Sequence, residues 1–413
     1  MKKAYTILLT ALCVLILSWF LPWLYSLILP VSANDPFVAC SPLNNEMIVS
    51  QHGTQDKAEI FAVDAHGNPT GETFTREQRD SLLPQIYYTQ LMARNALPDT
   101  IDGIEMSMSA LRHNAWVFSS LPRDINKVMP EVFLIMESMP ARIDLEDPTE
   151  IFRFRNGRVE FVDMGTNAVN EARTKRFTDI FHNRDFKLPV HSFSANITSR
   201  KPYDNGYLMV DDGGDIYHLK MQAGRPYFMK LIKPDTLVAD RVFVMENNET
   251  RHLGFVTDTN HNLYIIETEG YRIVPLPVGK FNPEKDRISV VKNVFNTVVK
   301  INDGKTVQWT AISSDDYSPI GSYAFEYPVS ASEKAEAYIF PFSLSFTSVN
   351  DCVAKPRFED WSLKALFLNA ALAIVLAVVW RRRRHNAACT ASCFAVTLVF
   401  GIFAFIPLII IRN

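Results

Sequence analysis

The stretch YLMVDDGGDIYHL, residues 207–219, decides the fold class of this chain. Two runs of mostly apolar residues flank a polar turn that contains Gly213 and Gly214. Glycines between such runs are typical of a β-hairpin, because glycine accepts the positive φ angles of a tight turn. The stretch therefore predicts two antiparallel strands joined by a short turn.

The same hairpin pattern recurs along the chain, with further turns at 66–68, 156–157, 260–262 and 303–304. The last three turns of the series recur at roughly 40 to 50 residues, which is the period of a four-stranded propeller blade. We therefore expect a mainly β domain that is propeller-like. An irregular β-sandwich is the alternative architecture.

A helical insertion is predicted at about residues 75–140. Thr75 and Gln78 form a capping-box pattern, apolar residues follow at helical spacing, and Pro98 lies beyond the end of the run. This pattern predicts one helix of about five turns, with Pro84 near its start. The rest of the insertion is ambiguous between short helices and short strands.

Three apolar stretches at the ends of the chain, residues 4–29, 363–380 and 387–411, indicate membrane spans. We expect an N-terminal transmembrane anchor at 1–30, an exported β-rich domain at 31–360, and a C-terminal transmembrane hairpin at 361–413. The first stretch also precedes small residues at 31–33 that suit a signal peptidase. A cleaved signal peptide is therefore the alternative to an anchor.

Basic residues predict the orientation of these spans. They lie before the first span and in the turn of the hairpin: Lys2, Lys3, Arg381, Arg382, Arg383 and Arg384. Because basic loops stay on the cytoplasmic side, the domain between the spans is predicted to lie outside the cytoplasm. We expect a multi-pass protein of the bacterial inner membrane with a periplasmic main domain.

Cysteine usage fits an exported domain. Of the five cysteines, only Cys40 and Cys352 fall outside the apolar stretches, one at each end of the domain. In an oxidising compartment such a pair predicts a disulfide, which would also close the ring of a propeller. Two separately buried free thiols are the alternative.

The sequence carries none of the familiar catalytic motifs, such as GxSxG, HExxH, CxxC or a glycine-rich phosphate loop. We therefore expect no catalytic residue, no metal site and no cofactor, although a metal site assembled from distant blades stays open. The run 211–215 lacks the ligand spacing of a calcium loop and is interpreted as a solvated turn. With a net charge of -3, no basic stripe and an exported location, we expect no nucleic-acid partner.

Two polar segments are candidate functional loops. The first mixes paired charges with a helix-capping sequence, and the second is a stiff polar entry to a hairpin. Their candidate residues are Arg123, Asp124 and Asn126 in the first, and Arg200, Lys201, Tyr203 and Asp204 in the second. For both loops a purely structural role is the alternative.

Several short motifs in a fixed order resemble an uncharacterised family of membrane proteins from Bacteroidota, catalogued as a domain of unknown function. The motifs are Leu97-Pro98-Asp99, Arg123-Asp124-Ile125-Asn126, Phe161-Val162-Asp163 with Thr166-Asn167, Arg200-Lys201-Pro202-Tyr203-Asp204 and His218-Leu219-Lys220-Met221. The resemblance implies a cell-envelope protein with a large periplasmic β-rich domain. It supplies no known activity or catalytic residue.

We expect a membrane-anchored binding or accessory protein rather than an enzyme. Its partner would be another membrane protein, such as a subunit of an ABC-type transport system for which it could serve as a subunit or sensor. The alternative is a cell-envelope enzyme, carbohydrate-active or a lyase, whose site is assembled from propeller loops. Carboxylates or histidines converging on one pocket would favour the enzyme.

Overall fold

A computed structural model describes residues 2–29, 34–52, 58–128, 130–346, 355–383 and 386–411. The chain divides into two compact units. The β unit comprises Asp35–Asn126 and Pro130–Glu326. The helical unit comprises Met1–Asn34, Lys127–Met129 and Tyr327–Asn413.

The β unit begins with a sheet and a helical insertion. Its first elements are β1 Phe37–Cys40, β2 Met47–His52, β3 Ala58–Val63, β4 Pro69–Thr73, α2 Arg76–Leu82, α3 Pro84–Ala93, β5 Thr100–Ile101, β6 Ile104–Glu105, α4 Met108–His113, β7 Trp116–Ser120 and α5 Pro122–Ile125; α1, Lys2–Ile28, precedes them in the helical unit. The next elements are β8 Phe133–Leu134, β9 Glu150–Arg155, β10 Arg158–Asp163 and α6 Glu171–Asn183.

The remaining strands of the β unit follow one another without helices. They are β11 Val190–Ala195, β12 Tyr207–Asp211, β13 Ile216–Gln222, β14 Arg225–Lys230, β15 Ala239–Val244, β16 His252–Asp258, β17 Leu263–Glu267, β18 Ile273–Pro275, β19 Arg287–Lys292, β20 Asn296–Asn302, β21 Thr306–Ser313 and β22 Pro319–Glu326. The mainly β prediction is confirmed.

Successive strands pair into small antiparallel sheets. We name them sheet I (β1–β4), sheet II (β8–β10), sheet III (β11–β14), sheet IV (β15–β18) and sheet V (β19–β22, with β7 added beside β19). Sheets I, III and IV are four-stranded meanders, whereas sheet II has three strands and sheet V has five. In the part of the chain that is described, no sheet closes on itself as a barrel.

Buried apolar side chains join each sheet to a neighbour. Sheets II and III share a core with Phe152 and Tyr217, sheets III and IV share one with Leu208 and Val256, and sheets IV and V share one with Phe255 and Val290. Sheet I meets sheet V, where the backbone N–H of Ser322 donates to Ala65 O at 3.2 Å. The sheets therefore follow the order II, III, IV, V, I.

Three hairpin turns share one pattern of hydrogen bonds to an aspartate side chain. Asp64, Asp211 and Asp258 each accept, through Oδ1, the backbone N–H groups of the second and fourth residues that follow, at 2.8–2.9 Å. The sequence pattern predicts the turns but not the hydrogen bonds that these aspartates accept. Asp211 is fully buried, so the interpretation of 211–215 as a solvated turn is wrong for this residue. Its carboxylate is occupied by backbone donors.

The helical insertion differs from its prediction. The capping box at Thr75 is present, but the single five-turn helix is not, because the chain forms α2 and α3 with a non-helical Leu83 between them. Leu83 precedes Pro84, and a residue before proline is disfavoured in the α region. The rest of the insertion alternates the short helices α4 and α5 with the short strands β5 to β8.

The helical unit contains α1 and the C-terminal elements. The latter are α7 Ala331–Ile339, β23 Ser343–Phe346, β24 Pro356–Glu359, a single 3₁₀ turn Leu363–Ala365, α8 Leu366–Arg382, α9 Ala387–Phe400 and α10 Ile402–Ile410. Two helices among the described residues are long and apolar enough to cross a membrane, Ala4–Ile28 and Leu363–Arg382. Most of their side chains are not buried within the molecule.

The prediction of a third span at 387–411 is wrong. The helix breaks at Gly401, which has a φ of 56° and a ψ of -132° and separates α9 from α10. At about 1.5 Å per residue, the 14 residues of α9 extend for only about 21 Å. That length is short of the roughly 30 Å hydrocarbon core of a bilayer.

Candidate functional site

The loop at 200–204 contains a buried ion cluster. The ammonium group of Lys201 donates to Asp204 Oδ1 at 2.6 Å, to Glu246 Oε1 at 2.7 Å and to Asn196 O at 2.6 Å. The side chains of Lys201, Asp204 and Glu246 are at most 3% exposed. All three hydrogens of the ammonium group are thus used inside the protein.

A buried histidine extends this cluster. Burial lowers the pKa of His218 to about 4, so its imidazole is neutral at pH 7. Its Nε2 lies 2.5 Å from Asn205 O, and its Nδ1 lies 2.8 Å from Tyr271 Oη. Because a carbonyl only accepts, Nε2 carries the proton and donates, and Nδ1 accepts from the Tyr271 hydroxyl.

These contacts favour the structural alternative for the second candidate loop. Lys201 and Asp204 belong to the cluster, and the hydroxyl of Tyr203 accepts from the backbone N–H of Asn247 at 3.2 Å. Arg200 is exposed. The loop leads into sheet III, whereas Glu246 and Tyr271 lie beside sheet IV, so the cluster braces two sheets.

The first candidate loop takes part in a different set of contacts. Asp124 accepts the backbone N–H of Leu121 at 3.2 Å through Oδ2, which caps the short helix α5. Asn126 donates to Glu284 O at 2.8 Å. Arg123 is exposed. These contacts anchor the loop, and they do not bring it to the cluster around Lys201.

A second buried network was not predicted from the sequence. Glu249 accepts from Trp116 Nε1 at 2.7 Å and lies 3.2 Å from Lys292 Nζ and 3.4 Å from His252 Nδ1. Although burial opposes it, the contacts with His252 and Lys292 lower the pKa of Glu249 to about 2. Glu249 and His252 are three residues apart, but Trp116 and Lys292 lie far from them in sequence, so no local motif could have identified the whole network.

The space beside this network is too small for a substrate. His252, Trp116, Lys292 and Tyr317 line a cavity of about 10 Å³. A cavity of about 10–15 Å³ holds one water molecule. The network therefore resembles a catalytic cluster in composition, but it offers no room for a ligand.

The described residues leave two predictions untested. Cys352 and Arg384 both lie outside the described residues. Cys40 is fully buried in β1, where burial raises the pKa of its thiol to about 12. Its carbonyl accepts from Gln85 Nε2 at 2.9 Å and from Asn296 Nδ2 at 3.2 Å, which ties β1 to sheet V.

A cavity of about 450 Å³ lies beside the first turns of α6. Asn170 caps this helix by accepting the N–H of Arg173 at 3.1 Å, and it donates to Glu150 at 2.8 Å. Volumes of about 300–1,000 Å³ are typical of ligand pockets. α6 was not predicted from the sequence, although Asn170 ahead of Phe177 and Phe181 is a recognisable capping and spacing signal.

Ionisable groups of both signs line the cavity. The four carboxylates are those of Glu137, Glu146, Asp147 and Glu150, and the two guanidinium groups are those of Arg173 and Arg176. Arg173 pairs with Glu150, and its guanidinium carbon lies 4.7 Å from the centre of the Phe161 ring. None of these six residues belongs to a candidate loop predicted from the sequence.

Glu137 shapes one wall of the cavity. Its carboxylate accepts the backbone N–H groups of Ala223 and Gly224, each at 2.8 Å, in the tight turn between β13 and β14. Both turn residues have positive φ angles, 47° and 73°. The segment carrying Glu137 also pairs with Met221, so the wall is attached to sheet III.

Solved structures that match this chain share little sequence identity with it, as two β-propellers illustrate. The β-propeller domain of Cps50 (Swd1) from "Myceliophteria thermophila" shares 12% identity and covers 55% of this chain and 62% of its own, with a TM-score of 0.25. The Dos1 propeller shares 10% identity over 44% of this chain and 57% of its own, with a TM-score of 0.22.

The third match is dihydro-heme d1 dehydrogenase NirN in complex with DHE, with 12% identity over 68% of this chain and 72% of its own and a TM-score of 0.23. This chain thus spans less than two thirds of the first two matched chains. TM-scores this low do not establish a shared fold. No curated protein matches the chain.

A family model matches residues 39–312, which belong to the β unit except for residues 127–129. The match covers most of the chain and includes all five sheets up to β21. The predicted resemblance to a family of unknown function is thereby confirmed. The chain belongs to the family described as Domain of unknown function (DUF4857).

Proposed function

We propose that this chain is a membrane-anchored binding protein whose β unit captures a small polar ligand in the cavity beside α6. The observation that carries the proposal is the open cavity of about 450 Å³ lined by charges of both signs. A few convergent polar groups over an apolar floor are what ligand pockets present.

The two long apolar helices support the membrane part of the proposal. Large apolar side chains on α1 and α8 are exposed, with Leu8 at 69% and Phe367 at 77%. Exposure of these side chains to lipid costs little free energy, whereas their exposure to water is unfavourable. Lys2 and Lys3 at the start of α1 and the arginines at the end of α8 favour a cytoplasmic location for both helix ends. The β unit would then lie in the periplasm of an inner-membrane protein.

Cysteine labelling tests this topology. Lys305→Cys lies at an exposed turn of the β unit, and Arg382→Cys lies at the end of α8. A maleimide that cannot cross the inner membrane is expected to label position 305 in intact spheroplasts and position 382 only after lysis, relative to the unmodified chain. Labelling of both positions, or of 382 alone, in intact spheroplasts would contradict the topology.

The sheet arrangement supports a propeller-like architecture as part of the proposal. Consecutive antiparallel meanders pack side by side, and the N-terminal sheet I lies against the C-terminal sheet V. Propellers join their first and last blades in this way. Such a scaffold would display the cavity at its periphery, between sheet II, sheet III and α6.

The proposed cellular context is an ABC-type transport system, for which the chain would serve as an accessory subunit or sensor. It is motivated by a ligand-binding unit that is flanked in sequence by two apolar helices, which could pack against a membrane partner. Purification of the tagged chain in mild detergent from its native host tests this context. Stoichiometric recovery of transporter subunits is expected, and recovery of the chain alone would contradict the accessory role.

The binding function itself is tested with a blocked cavity. Ala172→Trp places a large ring in the cavity lining, and Lys175→Trp places the same bulk on the same helix at an exposed position outside that lining. Thermal stability of the full chain in detergent is measured with amino acids, short peptides, sugars and nucleotides. A ligand at 100 times its Kd stabilises the folded state by about 2.7 kcal/mol.

At least one class of compound is expected to stabilise the unmodified chain and Lys175→Trp, but not Ala172→Trp. Absence of any saturable stabilisation, or equal stabilisation of Ala172→Trp, would contradict the binding function.

A further inference from the structure

We infer that the ligand of the cavity beside α6 is a small zwitterion of the amino-acid or short-peptide class, held by its ammonium and carboxylate groups at the same time. This inference rests on the proposed binding function and adds the chemistry of the ligand. It follows from which charged groups of the cavity are already used by the protein and which are not.

Two of the four carboxylates are occupied. Glu137 accepts backbone N–H groups from Met139, Ala223 and Gly224 at 2.8–2.9 Å. Glu150 accepts from Asn170 at 2.8 Å and pairs with Arg173. These bonds hold both carboxylates in fixed positions, so they shape the wall and are poorly placed to bind a ligand.

Arg176 and Asp147 are the groups left for a ligand. Both are exposed and line the cavity, and neither has an ion pair or side-chain hydrogen bond to another described residue. Glu146 pairs with Arg142 at 3.2 Å, but this pair is solvent-exposed, with side chains 61% and 71% accessible. Exposed pairs of this kind are weak and can exchange partners.

The available groups therefore have opposite signs. The guanidinium of Arg176 suits a carboxylate, which it can bind through two parallel hydrogen bonds. Asp147, with Glu146 beside it in sequence, suits an ammonium group. A ligand that carries both groups satisfies both sides of the cavity, whereas a purely anionic ligand would meet four carboxylates.

The floor of the cavity is apolar. Phe177, Ile135 and Met221 line it, and each is at most 5% exposed. An aliphatic or aromatic side chain of the ligand could cover this floor, which would remove apolar surface from water. The volume of about 450 Å³ is ample for a dipeptide and lies within the range of small-ligand pockets.

The test uses one dipeptide in three forms. Alanyl-phenylalanine, its N-acetylated form and its C-terminally amidated form are titrated calorimetrically into the full chain in detergent. The free dipeptide is expected to bind, and removal of either charge is expected to weaken binding about tenfold or more.

Charge-removing variants assign each end of the ligand. Arg176→Gln is expected to bind the free and amidated forms equally, and Asp147→Asn is expected to bind the free and acetylated forms equally. Arg155→Gln and Asp179→Asn, which lie outside the cavity lining, should retain both preferences. Preferences that survive Arg176→Gln and Asp147→Asn would overturn the inference.

The outcome is separable from that of the binding function. If sugars or anions stabilise the chain and Ala172→Trp abolishes that effect, while the free dipeptide does not bind, the cavity is a binding site and the zwitterion assignment is wrong. If neither the panel nor the dipeptide binds, both are wrong.

Discussion

The side-chain amide of Asn369 in α8 lies against Gly401 at the break between α9 and α10, so closely that a Cβ atom at Gly401 would be 2.1 Å from Asn369 Oδ1. Asn369 is fully buried, and its Nδ2 donates to Leu398 O at 3.1 Å. The last carbonyls of a helix lack intrahelical donors, so this bond stabilises the end of α9.

Gly401→Ala is therefore expected to destabilise the helical unit. Alanine would have to keep a positive φ of 56° and displace the Asn369 amide, at a combined cost of about 2–5 kcal/mol. Thermal unfolding of the full chain in detergent measures the change. In an Asn369→Ala background the same substitution should be milder, because the clash is gone; an equal loss in both backgrounds would contradict the contact.

Lys201→Met should strongly destabilise the β unit. Removal of the lysine leaves Asp204 and Glu246 buried without their cation, and breaking a buried ion pair from one side costs about 3–5 kcal/mol. Lys175→Met, which removes an exposed pair with Asp179, should cost less than about 1 kcal/mol. Denaturant unfolding measures the free energy of unfolding of both variants. Similar losses of stability would show that the Lys201 cluster does not stabilise the β unit.

Stability should fall as the pH drops from about 6.5 to about 4, because of His218. The unfolded chain takes up a proton near the ordinary histidine pKa of 6.5, whereas the folded chain takes it up only near a pKa of about 4. Below pH 6.5 the unfolded state therefore binds more protons, and a difference of this size removes about 3 kcal/mol by pH 4.

His218→Gln should flatten this dependence between pH 6.5 and 5, measured by denaturant unfolding at each pH. The exposed His113→Gln serves as the control and should keep the slope of the unmodified chain. The comparison is limited to pH 5 and above because of Glu249 and Glu267, whose pKa values are lowered to about 2 in the folded chain. Below their ordinary pKa these two carboxylates cause a further loss of stability. An unchanged slope in His218→Gln would refute the assignment.

The repeated aspartate turns should differ in their tolerance of substitution. Asp211→Ala removes a fully buried carboxylate and leaves the N–H groups of Lys187, Gly213 and Asp215 without an acceptor. Bonds to a charged acceptor contribute about 1.5–3 kcal/mol each, so the loss should be several-fold greater than for Asp64→Ala, whose bonds are exposed. Denaturant midpoints of the two variants provide the comparison.

The residue order by itself determined the strand content, most hairpin turns, the capping box at Thr75 and the two long apolar helices. These features are local: alternation, turn glycines, a cap and an uncharged run each act over a few residues. Tertiary structure decided the rest. The break at Gly401 depends on an amide 32 residues earlier in the chain, and the cavity joins a loop, a strand end, a hairpin turn and a helix.

The candidate loops show the same limit. The sequence marks Lys201, Tyr203 and Asp204 as a polar segment. Only the fold shows that Glu246 forms an ion pair with Lys201. Arg176 and Asp147 belong to no motif, and they matter because both line one cavity and neither forms an ion pair with another residue that the structure describes. Whether a charged side chain is paired within the protein or free to bind a ligand depends on which residues lie near it in space. Those residues are often distant in sequence, so a local sequence pattern does not reveal them.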